Sequence, residues 1–105
     1  MTIDLALEYI PRRMKEMGHG NNYHIRFRHL VLQAAEQREL QADNQLYLLL
    51  DEPQDIRIDS DSGLFDWSES SVNELTYEHT GTILISNYAP FVKQVRWIQI
   101  IPTNF

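Results

Sequence analysis

Apolar positions along the chain recur at two different periods, and the change between them divides it. Ile3, Leu7, Ile10, Met14 and Met17 are spaced four, three, four and three apart, which puts them on one stripe of a helix. Thr2 is placed to cap the start of that helix, and Asp4 suits its positive end. Gly18 is a natural stop, followed by the loop His19-Gly20-Asn21-Asn22. Pro11 interrupts the pattern, because proline inside a helix loses a backbone bond at a cost of about 3 kcal/mol. Two forms follow: a helix kinked at Pro11, or one that restarts there with residues 3–8 as an extended arm. The stripe is only about two heptads long, so it is read as packing on the chain's own core rather than on a coiled-coil partner.

From residue 23 the period becomes two. Tyr23, Ile25 and Phe27 face one way, and His24, Arg26 and Arg28 face the other. Leu30-Val31-Leu32 then breaks the alternation, which calls for either a sandwiched strand end or a bulge. Residues 34–43 read as a turn and a short strand around Leu40, and Gln45 to Leu50 as a strand buried on both sides. Ile56 and Ile58 flank Arg57 in another short strand, closed by a turn at Asp59-Ser60-Asp61-Ser62-Gly63. Ser71 with Glu74 has the form of a capping box, enough for one helical turn. Thr80 to Tyr88 and Phe91 to Ile101 are rich in β-branched residues, and Asn87-Tyr88-Ala89-Pro90 reads as the turn of a hairpin between them. The expected fold is α+β, mostly β, in a single domain, 1–105. An N-terminal helix (1–18) precedes a β-rich body (23–105) of five to seven mainly antiparallel strands. These form a small sandwich or a partly open barrel.

Composition changes this picture little, but charge does. The net charge of -6 is unevenly spread. Residues 39–78 hold eleven acids against Arg57 alone, whereas both flanking segments are net basic. Such segregation is met either by strands lying side by side in one fold or by attraction between molecules. The chain has no cysteine, which removes disulfides, thiolate metal sites and cysteine nucleophiles. The first residues have neither the basic start nor the cleavage site of a signal peptide, and no apolar run reaches the roughly 18 residues of a membrane helix. A cytoplasmic protein without membrane contact is expected.

No set of residues assembles a catalytic or cofactor site on spacing alone. His24 and His29 point to opposite faces of one strand, as do Glu78 and His79, so no metal is expected. Asp59-Ser60-Asp61 opens like a calcium loop, but Gly63 and Ser70 stand where ligands are needed. No serine lies in a nucleophile elbow, and the glycines form no phosphate loop. The acidic middle repels nucleic acid, and the basic stripe of residues 24–28 carries its aromatic residues on the opposite face.

What remains is association. Val95, Trp97, Ile98 and Ile100 give the last strand apolar groups on both faces, so it needs two covers, one of which a second subunit could supply. Leu64, Phe65 and Trp67 beside acids form a second candidate contact patch. The expected function is therefore a non-enzymatic structural or protein-interaction module, self-associating or part of a larger assembly, with no cofactor. The alternative is a small-ligand-binding barrel or sandwich with Tyr47, Trp67, Trp97 and His79 around its pocket. A small hydrolase or isomerase using His79 with Glu78, Asp59 or Asp61 is a third reading.

Overall fold

The computed structural model describes residues 2–51, 53–66 and 76–103. Helix α1 runs unbroken from Ile3 to Glu16, so the extended-arm form does not occur. Thr2 caps it, its Oγ1 accepting from the Leu5 amide at 3.3 Å. Pro11 lies on the exposed side, where water can satisfy the Leu7 carbonyl that the ring leaves without a backbone donor. At the other end the Gly18 amide donates to Lys15 and the His19 amide to Met14, with Gly18 at φ 85°. Only glycine takes that backbone turn without strain.

Six strands follow: β1 (Tyr23–Leu32), β2 (Gln37–Leu50), β3 (Ile56–Ser60), β4 (Gly63–Asp66), β5 (Glu78–Asn87) and β6 (Lys93–Pro102). They form one open antiparallel sheet in the order β1-β6-β2-β5-β3-β4. The architecture is thus the mostly-β α+β class with a partly open sheet, and the six strands do not divide into two sheets. The order corrects one expectation. β5 and β6 do not pair as a hairpin, because β2 lies between them. Their connection is instead held by Asn87, whose Nδ2 donates to the carbonyls of Gln33 and Phe91 at 2.9 and 3.0 Å. Its Oδ1 accepts from the Ala89 amide at 2.9 Å.

The two strands expected within residues 34–50 are one. β2 pairs with β5 on both sides of a register shift between Ala42 and Tyr47, and its second half also pairs with β6. Asn44 adopts φ 58° at this shift, a conformation asparagine tolerates better than most residues. Thr80 Oγ1 spans the irregularity, donating to the Gln45 carbonyl at 3.0 Å. The bulge therefore belongs to β2. β1 keeps an even register throughout, with Leu30 and Leu32 on one face and Val31 exposed on the other.

Side chains alternate between two cores. Ala6, Ile10 and Met14 of α1 pack on Leu46, Leu48, Leu50, Ile98 and Ile100. The helical stripe is thus rotated from the one the spacing marks: Ile3, Leu7 and Met17 lie at its solvent-facing margin. On the opposite face Leu32, Tyr47, Leu49, Ile58, Phe65, Ile83, Ile85, Val95 and Trp97 form one buried cluster. Leu32 of β1 shares this cluster with Ile58 of β3 and Phe65 of β4, strands from opposite ends of the sheet, so the sheet curls around it. The Asn87 bond to Gln33 at the end of β1 spans that curl, since β6 and β2 separate the two strands within the sheet.

Candidate interaction surface

The last strand does need two covers, and the single chain supplies both. Ile98 and Ile100 are sealed by α1, and Val95 and Trp97 by the curled half of the sheet. That corrects their reading as interface residues: all four are buried within the protomer. Phe65 is corrected likewise. It sits fully buried in β4 opposite Ile58, and Leu64 beside it is half-buried. Trp67 and the capping box at Ser71 lie outside the described residues.

Tyr47, Trp97 and His79 do come together, but as packed core. Trp97 meets the Tyr47 ring edge-on at 5.7 Å and the His79 ring at 5.9 Å. The imidazole is fixed on both sides. Ser60 Oγ lies 2.7 Å from Nδ1, and Nε2 lies 2.8 Å from the Thr76 carbonyl. A carbonyl can only accept, so Nε2 carries the proton and Ser60 donates to Nδ1. Burial pushes the His79 pKa down to about 4, so the ring is neutral at pH 7. A serine, a histidine and an orienting carbonyl are parts of nucleophilic chemistry. Here His79 is closed off from solvent. Glu78 faces the opposite side, where its Oε1 accepts from Tyr9 at 3.1 Å and from Arg13 at 2.9 Å. Asp61 is engaged by the Thr82 amide. With both ring nitrogens taken by Ser60 and Thr76, His79 makes no hydrogen bond to Glu78, Asp59 or Asp61. No group of three or more potential metal ligands occurs among the described residues, and no described helix is long and apolar enough to cross a membrane.

The exposed apolar surface lies elsewhere, on β1. This strand is at the end of the sheet, and only β6 pairs with it among the described residues. Ile25 and Phe27 stand opposite Ile100 and Ile98, which sets them on the helix side of the sheet. The helix, however, is drawn the other way. Tyr9 and Arg13 anchor it over β5 through Glu78, and its apolar face sits on β2 and β6. The bond to Glu78 raises the Arg13 pKa, and burial next to that carboxylate raises that of Tyr9. Beyond Tyr23, which packs on the helix cluster, this face of β1 is left uncovered: Phe27 is 59% exposed and Ile25 38%, with Val31 also open. Between helix and strand runs a groove of about 280 Å³ lined by Ile3, Phe27, Leu50 and Arg96 among others. Arg96 is held at its wall by Asp51. A second, larger hollow of about 470 Å³ opens at the β2 irregularity, between Met17, His19, Asn44 and Thr80.

The alternation of Tyr23 to Arg28 was legible in the sequence, but not the fact that its apolar side faces solvent. The signal that could have found it is the stretch itself: ten residues, Tyr23 to Leu32, with no acid and two arginines interleaved among apolar groups. Compared with known protein families, with curated proteins and with solved structures, the chain has no match in any of the three.

Proposed function

We propose that this protein is a non-enzymatic protein-interaction module that takes up an extended segment of another protein along the outer edge of β1. A strand at a sheet edge presents a row of backbone donors and acceptors ready for one more strand. Phe27 carries the reading. A phenylalanine 59% exposed in the middle of an edge strand, beside an apolar groove, offers contact area that the protomer does not use. Ile25, Val31, Ile3 and Leu7 extend the same surface. A chain without cysteine suits the reducing cytoplasm, which we take as its setting.

A photo-reactive phenylalanine analogue introduced at position 27, in the cells that make the protein, tests this. Leu84 is the control, an apolar side chain 40% exposed on the far half of the sheet. The expected result is a discrete cross-linked adduct from position 27 that disappears with Ile25→Asn. Equal adducts from both positions, or an adduct from position 84 alone, overturn the reading.

A further inference from the structure

We infer that the segment received by β1 alternates acidic and apolar side chains, the acids lying opposite Arg26 and Arg28. This rests on the reading of β1 as a docking edge and specifies the partner's chemistry.

The argument starts from how the chain uses its cations. Five arginines lie in strands. Arg38 is paired with Glu36 at 2.6 Å, Arg57 with Asp66 at 3.6 Å, and Arg96 with Asp51. Arg26 and Arg28 have no carboxylate within reach among the described residues, in a chain with fifteen acids and a net charge of -6. Arg28 reaches only the Gln99 amide oxygen, at 3.5 Å. Both arginines are exposed, and the register puts them on the same face, across from Gln99 and Trp97. Among the described strand residues, only Arg26 and Arg28 of β1 and Lys93 of β6, which lies over the Phe91 ring, keep positive charge without a carboxylate partner.

That charge pattern counts against the simplest occupant, a second β1 paired about the middle of the strand. Two copies paired antiparallel about a two-fold axis centred on Arg26, Phe27 or Arg28 set arginine directly opposite arginine. Like charges in that position destabilise a ladder. An extended segment with Asp or Glu at every second position reverses the sign at both arginines, and its intervening apolar side chains fall on the face of Ile25 and Phe27. Arginine on an edge strand also serves to repel unwanted strands. A pure guard has no use for an exposed phenylalanine between two arginines.

The test uses capped peptides as long as β1, 10 residues. One alternates Glu and Val, one alternates Lys and Val, and one carries the Glu and Val in two separate blocks. A single-stranded oligothymidine of the same length is the fourth probe. Binding is read by fluorescence anisotropy and by backbone amide shifts. The alternating Glu peptide is expected to bind with shifts centred on β1 and its neighbour β6, at least about tenfold tighter than the other three probes. Arg26→Glu with Arg28→Glu, checked for an unchanged melting curve, should invert the preference toward the Lys peptide. Equal binding of the Glu and Lys peptides at β1 overturns the acidic assignment while leaving the edge as a docking site. Equal binding of the block peptide overturns the alternation. Tighter binding of the oligothymidine overturns a protein partner of this chemistry. No shift in β1 with any probe, while position 27 still cross-links in cells, overturns this inference alone; loss of both removes the proposed function with it.

Discussion

Asn87 Nδ2 donates to the backbone carbonyl of Gln33 at 2.9 Å, across 54 residues of sequence. That bond joins the end of β5 to the end of β1, strands that are not neighbours in the sheet. With the bonds to Phe91 and Ala89 it replaces the turn that a hairpin would have provided.

Removing it should be costly. Asn87 is buried, so Asn87→Ala leaves several backbone groups without partners, each worth about 1–3 kcal/mol when stranded in the interior. A loss of roughly 2–4 kcal/mol is expected from urea denaturation, on that same per-group basis. Asn87→Asp should be no better, because a carboxylate cannot donate to the Gln33 carbonyl.

His79 makes stability depend on pH in a defined direction. Its pKa is about 4 when folded and 6.5 when unfolded, so the unfolded chain takes up the proton first as pH falls. Its contribution is complete above pH 6.5 and is lost progressively between 6.5 and 4. The full swing is about 3 kcal/mol, at 1.36 kcal/mol per pKa unit. Denaturation midpoints measured from pH 7.5 to 4 should fall more steeply for the wild type than for His79→Gln. Parallel slopes would show that the ring is not buried neutral.

The Glu78 carboxylate ties α1 to the sheet through Tyr9 and Arg13. Glu78→Ala should cost about 1 kcal/mol, the scale of a partly exposed ion pair with its hydrogen bonds. Amide hydrogen exchange should rise throughout α1 and little in β3. An unchanged exchange rate in the helix would mean that its apolar face alone holds it.

Two phenylalanines separate surface from core. Phe65→Ala should destabilise by about 3–5 kcal/mol, as expected for a fully buried ring. Phe27→Gln should change stability by less than about 0.5 kcal/mol, since the ring is mostly in water. Equal losses in thermal melts would place Phe27 in an interior after all.

The sequence by itself determined what lies within reach of a few residues. The capped helix ending at Gly18, the alternation of β1, the turn between β3 and β4 and the division of Glu78 from His79 all follow from local spacing and backbone preference. What only the tertiary structure decided is which strands are neighbours, and so which apolar groups are covered. Val95, Trp97 and Phe65 look like Phe27 in sequence, because burial depends on what a distant segment brings. Inserting β2 between β5 and β6 buries the first three, and fastening the helix toward β5 leaves the fourth in water. Hydrophobicity records that a side chain gains by leaving water, whereas its position in the folded chain decides whether anything is there to cover it.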